Sequence, residues 1–167
     1  MQRPRIHGEL QWCEAFASAC TSPINLFVNK DRLTKERRSW NMSRIRGKNT
    51  TPEKIVRSLL HQMGYRFRLH VKKLPGKPDI VLSKYKTAIF VHGCFWHRHK
   101  GCKNCTTPTY RQEFWLAKLT GNAARDKLHQ RTLRKLGWRS IVVWECEAEC
   151  DSCARVLQQR LAGRARR

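Results

Sequence analysis

The stretch Ala88-Ile89-Phe90-Val91-His92-Gly93-Cys94-Phe95-Trp96-His97-Arg98-His99 sets the reading of the whole chain. Its first half is an apolar run with the length and β-branched content of a buried strand. Its second half gathers histidines, a thiol and two adjacent aromatics, a mixture that a hydrophobic core does not need. A strand that delivers His, Cys and Trp at its own exit presents a metal site and a ligand-contacting surface together, so the functional centre is expected here.

Upstream, Leu74-Pro75-Gly76-Lys77-Pro78-Asp79 is a proline- and glycine-marked turn that feeds the short apolar strand Ile80-Val81-Leu82. Residues 83–86 form a polar connection to the strand Thr87–His92. Two strands joined this way predict a hairpin, which brings Asp79 near His92 and the Cys94–His99 loop. Pro-Asp also occurs in ordinary turns, so the dipeptide alone carries little. Before this unit, Tyr65 to Val71 alternates strictly and predicts a half-exposed strand with a cationic face. Thr51-Pro52-Glu53 offers an N-cap, a proline at the first helical position and an acid in the first turn. A helix is predicted from Pro52 to about Met63, ended by Gly64. Glu53 there can simply complement the helix dipole.

Downstream, Tyr110 to Leu136 has helical composition, with Phe114, Trp115, Leu119, Leu128, Leu133 and Leu136 as its apolar positions and Gly121-Asn122 as a predicted break. Trp138 to Trp144 predicts a further buried strand that delivers Glu145 and Cys146. A last amphipathic helix is predicted over about Ser152 to Leu161. Residues 1–38 show no clear periodicity and hold two isolated cysteines, Cys13 and Cys20; they are expected to be an extension ahead of a functional domain at 39–167.

The chain has 167 residues, enough for one domain with a real core and too few for two. Its 35 Lys and Arg against 12 Asp and Glu give a net charge of +23, for which nucleic acid is the default partner and a merely cationic, ribosomal-type protein the bland alternative. Between Ser39 and Tyr110 the only carboxylates are Glu53 and Asp79. Acids kept inside a basic groove repel phosphate, so this pair is expected to hold a divalent cation. Eight cysteines without a secretory signal argue for a metal site in a reducing compartment rather than for disulfides. No apolar run approaches a membrane span, so a soluble intracellular protein is expected. Cys102-x2-Cys105 with Cys150-x2-Cys153 spells one candidate zinc ribbon, which leaves Cys94 and His99 unexplained.

Several separate motifs carry a resemblance. They are Pro75-Gly76-Lys77-Pro78-Asp79, Phe90 to His97, Glu113-Phe114-Trp115 with Asn122 and Arg125-Asp126, and Gly137-Trp138-Arg139 with Val143-Trp144-Glu145-Cys146. In this order, between Trp40 and Glu147, they resemble the very short patch repair (Vsr) endonucleases. The resemblance implies an α/β fold of restriction-endonuclease type, a mixed central sheet flanked by helices with a structural zinc. It also implies magnesium-dependent nicking of one DNA strand, 5′ of the thymine in a T·G mismatch left by 5-methylcytosine deamination.

By the same resemblance Asp79 matches the magnesium-binding aspartate and His97 the histidine that activates water. His92, Glu53 and Asp126 match accessory active-site positions. The family's second protein contact to magnesium is a backbone carbonyl, here that of Val91 where a family member has threonine. Cys94, His99, Cys102 and Cys146 match the zinc ligands, with Cys105 a rival to Cys102. Phe95, Trp96 and Trp115 match aromatics that wedge into the DNA stack, although Trp115 on a helix can equally be core; Asn122 is a DNA-binding position. The implied partners are double-stranded DNA with a T·G mismatch and mismatch-repair proteins, for a monomer in the bacterial cytoplasm beside the nucleoid. The alternatives are a restriction-type nuclease of perfect duplexes and a non-catalytic zinc-containing DNA-binding protein.

Overall fold

The computed structural model describes residues 33–45 and 47–163. Most of the predicted 1–38 extension, with Cys13 and Cys20, lies outside the described residues.

The hairpin forms as predicted. Strand β2 (Ile80–Leu82) pairs antiparallel with β3 (Thr87–His92) in the register Ile80↔Ile89, with a 3-10 turn at Ser83–Tyr85 between them. Strand β1 (Arg68–Leu69) joins the free edge of β2, antiparallel. Strand β4 (Arg139–Trp144) lies parallel to β3, completing a mixed sheet of order β1-β2-β3-β4. Parallel neighbours need a crossover, and the long helix α3 (Gln112–Lys135) supplies it. The other helices are α1 (Lys35–Ser43), α2 (Thr51–Gln62), α4 (Glu145–Ala148) and α5 (Cys153–Ala162). The architecture is the mixed α/β class that the resemblance implies.

Period-two alternation along β3 divides the core. Ile89 faces Val56 and Leu60 of α2, Ile80 and Leu82 of β2, Ile141 and Val143 of β4, and Leu157 of α5. Ala88 and Phe90 face the other way, onto Leu133 of α3, with Leu74 and Trp138 packed alongside. His92 shares the parity of Ala88 and Phe90, so the sheet aims its imidazole toward α3. A strand buried on both faces reads as a continuous apolar run, which is what Ala88 to Val91 is.

Three expectations need correction, and one helix was not foreseen. The α2 cap is Thr50, one residue earlier than Thr51: Thr50 Oγ1 accepts the Glu53 N–H at 3.4 Å and Glu53 accepts the Thr50 N–H at 3.4 Å, a capping box. The strand predicted over Tyr65 to Val71 shrinks to two residues, because His70 takes a left-handed φ of 48° and turns the chain out of the sheet. Tyr65 and Phe67 still pack on the core, whereas Leu69 is 42% exposed. Helix α3 runs unbroken through Gly121-Asn122. Helix α1 went unpredicted because it buries no residue and so shows no apolar stripe; the guanidinium groups of Arg37 and Arg44 lie over its Trp40 ring, 4.5 and 4.7 Å from the centroid. No helix among the described residues is long and apolar enough to cross a membrane.

Candidate active site and metal centre

The exits of β3 and β4 lie side by side, since His92 pairs with Trp144 in the parallel register. A cleft of about 630 Å³ opens there, between the start of α2, the β2–β3 hairpin and the middle of α3. Glu53, Asp79, His92, His97, Asp126 and Glu145 line it, with Phe95 and Trp96 at one side. Gly76 makes part of this shape possible. Its φ is 75°, and a Cβ there would stand 3.0 Å from His129 Cβ and 3.1 Å from the Phe90 ring, so glycine lets the Leu74–Lys77 turn close against α3.

Helix α3 walls the cleft with a regular face. Leu119, Asn122, Asp126, His129 and Leu133 succeed one another at spacings of three and four, the stripe that a packed helix turns inward. Its ends are apolar and fully buried at Leu119 and Leu133, and its middle is polar. The other apolar positions named from sequence, Phe114, Leu128 and Leu136, are 47%, 59% and 57% exposed.

Two groups of titratable side chains reach the cleft, the second through Glu53 and Asp79. In the first, His97 Nδ1 donates to Asp126 Oδ2 at 2.5 Å, and the His92 and His97 rings stack with centroids 3.8 Å apart. Burial, followed by the neighbouring His97, pushes the His92 imidazole down to about 4. Burial alone would raise the Asp126 carboxyl, but the His97 hydrogen bond and the surrounding imidazoles more than offset it and hold it below the usual range. The second group is Glu53, His70 and Asp79, whose ligand atoms lie within 4.8 Å of one another. Asp79 Oδ2 accepts the Val91 N–H at 2.9 Å, while among the described residues Oδ1 accepts no hydrogen bond. Burial raises the Asp79 carboxyl, the Val91 bond counteracts this, and the nearby Glu53 charge adds to the rise. A carboxylate so placed gains by meeting a cation.

The loop after β3 coils tightly, with His97 N–H donating to Gly93 O at 3.1 Å and His99 N–H to Cys94 O at 3.0 Å. Cys94, His99, Cys102 and Cys146 thereby offer four ligand atoms within 4.8 Å of one another. His99 Nδ1 stands 3.6 Å from Cys94 Sγ and 3.4 Å from Cys146 Sγ. A tetrahedral site with metal–sulfur bonds of about 2.3 Å has ligand edges of about 3.5–3.8 Å, so this donor set fits a closed metal centre. Burial pushes the Cys94 thiol up to about 12, and a cation is what would make its thiolate favourable. Cys105 is outside the group, and the two Cys-x2-Cys pairs do not form one: Cys153 is packed in the core and Cys150 is exposed.

Phe95, Trp96 and Trp115 form one aromatic group, with centroids 5.0 to 6.0 Å apart, and none belongs to either core cluster. Asn122 donates to Trp96 O at 3.1 Å and anchors this group to α3. Trp144 connects the two centres. It stacks on His99 at 4.2 Å and meets His92 edge-on at 5.5 Å. Sequence reasoning gave no site role to His70, Arg57, His129 or Glu145. Glu145 Oε2 accepts the Cys94 N–H at 3.1 Å. The spacing of Glu53 and Arg57, one helical turn apart, was a readable signal for Arg57.

Comparison with known proteins identifies the family. The family model for DNA mismatch endonuclease Vsr matches residues 30–104. The chain is 54% identical to the type II nicking enzyme V.XorIIP of Xanthomonas oryzae pv. oryzae, over 70% of this chain and 85% of that protein. It is 46% identical to DNA mismatch endonuclease Vsr of Escherichia coli, over 67% of this chain and 71% of that protein. Among solved structures, the catalytic domain of homing endonuclease I-Bth0305I matches with a TM-score of 0.45 and 23% identity, over 66% of this chain and 93% of that one. With close relatives covered over most of their length, the chain belongs to the Vsr family of DNA-nicking endonucleases and is itself an endonuclease.

Proposed function

We propose that this endonuclease nicks one strand of duplex DNA on the 5′ side of the thymine in a T·G mismatch, with magnesium as cofactor, and so starts very short patch repair of deaminated 5-methylcytosine. The observation that carries the reading is the convergence on one cleft of an Asp79 oxygen that accepts no hydrogen bond among the described residues, an oriented His97–Asp126 pair and an aromatic group outside the core.

Asp79 and the Val91 carbonyl would hold magnesium, which supplies Lewis acidity that neutralises the nonbridging phosphate oxygens. His97 donates Nδ1–H to Asp126, which leaves Nε2 to take a proton from the attacking water. His92 stacks on that ring and, held neutral by burial, adds no positive charge beside it at neutral pH. Phe95, Trp96 and Trp115 would enter the base stack at the mismatch, where a mispaired step costs less to open than a paired one. Asn122 keeps Trp96 in place through its carbonyl.

Zinc on Cys94, His99, Cys102 and Cys146 would staple the β3 loop to the end of β4. In the same reading residues 39–167 are the endonuclease domain and 1–38 an extension. The protein works as a monomer in the cytoplasm, at the nucleoid, alongside other mismatch-repair proteins; the +23 charge supports DNA as its surface partner.

The test is nicking of otherwise identical oligonucleotide duplexes carrying T·G, T·A or C·G at one position, in magnesium. The protein should nick the T·G duplex alone. Asp79→Asn should bind it with parental affinity and lose nicking by at least about a hundredfold, because a charged ligand is removed while the basic surface stays. Equal nicking of the T·A duplex would replace this reading with a nuclease of perfect duplexes.

A further inference from the structure

His70 belongs to the second titratable group and has no part in the chemistry above. It holds a left-handed φ of 48°, uncommon for any residue but glycine although histidine is among those enriched there. That turn sets it opposite Asp79. The His70 N–H donates to Asp79 O at 3.2 Å, and its ring Nδ1 stands 4.0 Å from Asp79 Oδ1. The other ring nitrogen, Nε2, is 3.1 Å from Arg57 Nη2. A guanidinium carries donors and no acceptor, so Nε2 has to accept. In a neutral ring the single proton then sits on Nδ1, the nitrogen that faces Asp79.

Arg57 is itself tightly held. The same Nη2 donates to Glu53 Oε2 at 2.5 Å and Nη1 to Asn49 Oδ1 at 2.7 Å, with the Arg57 side chain only 14% exposed. Glu53 is saturated. Its Oε2 also accepts the Asn49 N–H at 3.1 Å, and its Oε1 accepts the Thr50 hydroxyl at 3.1 Å and the Thr50 N–H at 3.4 Å. A carboxylate has about four acceptor sites, and four donors occupy these. Glu53 lines the cleft, but with its acceptor sites occupied it acts through Arg57 rather than as a ligand of its own.

We propose that His70 is a positioning residue for Asp79: Arg57 fixes its tautomer, so that Nδ1–H faces Asp79 Oδ1 from 4.0 Å, beyond hydrogen-bond length, and biases by its dipole the carboxylate that the Val91 N–H holds through the other oxygen. The proposal rests on Asp79 as a cation ligand and adds what orients it. A carboxylate held through one oxygen and faced by a polar N–H edge at the other is already arranged for a cation, and partners of this kind commonly account for a roughly tenfold to hundredfold difference in metal affinity or activity. The chain Asn49–Glu53–Arg57–His70–Asp79 also ties the cap of α2 to the centre of the cleft.

Two measurements test it. In ¹⁵N-histidine-labelled protein without added metal, long-range ¹H–¹⁵N spectra should show His70 as the Nδ1–H tautomer, and Arg57→Ala should abolish that preference. An Nε2–H tautomer in the parent overturns the proposal, as does a ligand-type shift of Nδ1 on adding magnesium, which would make His70 a metal ligand instead. Single-turnover nicking is then followed across magnesium concentration. His70→Leu should raise the half-saturating concentration about tenfold with DNA binding in the absence of metal unchanged, and any fall in Tm from the left-handed φ should be shared by His70→Gln. His70→Gln, whose amide can accept from Arg57 and donate toward Asp79, should bring the half-saturating concentration back toward the parent. If Leu and Gln give the same half-saturation, positioning is wrong. Inactive Asp79→Asn with parental half-saturation in His70→Leu sinks the inference alone, whereas active Asp79→Asn sinks the reading of Asp79 while the tautomer result stands separately.

Discussion

At the scale of single residues, the site is a set of neighbours that change one another's charge. His92 is the clearest case, because β3 buries it to 6% exposure and stacks it on His97. With the folded value at about 4 and the unfolded one near the usual histidine value of about 6.5, the unfolded chain binds the extra proton between those limits. Stability should therefore be complete above about pH 6.5 and decline as pH falls toward 4, by on the order of 2–3 kcal/mol from this group. His92→Phe removes the titrating ring and should flatten that part of the profile, read by denaturant unfolding at several pH values. A parent and a variant with the same slope would mean that His92 is not held neutral.

At the scale of elements, legibility follows from whether an element's partners lie within its own sequence. Strand β3 was readable because burial on both faces leaves only apolar residues from Ala88 to Val91, and α2 because its cap, first-turn acid and stripe are all local. Helix α4 was missed: it is a single turn, and Glu147 Oε2, which accepts the Trp144 N–H at 3.0 Å, is also held by Arg160 at 2.8 Å from α5. His70 read as one more cation on a strand face, since the Arg57 contact that gives it meaning spans thirteen residues. The false break at Gly121-Asn122 has the same origin. Propensity disfavours glycine within a helix, but Asn122 is tied to Trp96, and packing at Leu119 and Leu133 holds both flanks. Gly121 remains a local weakness. A Cβ there would meet nothing nearer than Arg125 Nη1 at 3.7 Å, so Gly121→Ala should stabilise the protein by about 0.5–1 kcal/mol. Thermal unfolding checks this, and a lowered Tm would mean that α3 needs the freedom of glycine at that point.

At the scale of the whole molecule, the sheet alone does not hold the cleft together. β3 and β4 run parallel and end at one level, so everything beyond His92 and Trp144 is loop and short helix that must be secured by something other than strand pairing. The four-ligand group spans that gap, with Cys94, His99 and Cys102 from the loop after β3 and Cys146 from the first turn of α4. Trp144, stacked on His99 and edge-on to His92, lies between this group and the cleft. The group's sequence signal was the Cys and His spacing after β3, while Cys146 could be attached to it only through the family resemblance, forty-four residues beyond Cys102. Loss of the metal should therefore loosen the fold and the aromatic surface together. Metal analysis of the purified protein should find one zinc per chain, and Cys146→Ser should lower both zinc content and Tm, because a closed structural site contributes its binding free energy directly to folding. Chelator should lower the Tm of the parent toward that of the variant and have little further effect on Cys146→Ser. Cys105→Ser should leave both readings at the parental level, since Cys105 stands outside the group. Zinc lost from Cys105→Ser and kept in Cys102→Ser would exchange those two residues in the ligand set, and a zinc-free parent with an unchanged Tm in Cys146→Ser would leave the four side chains as a packed cluster of thiols and imidazole with no metal to hold.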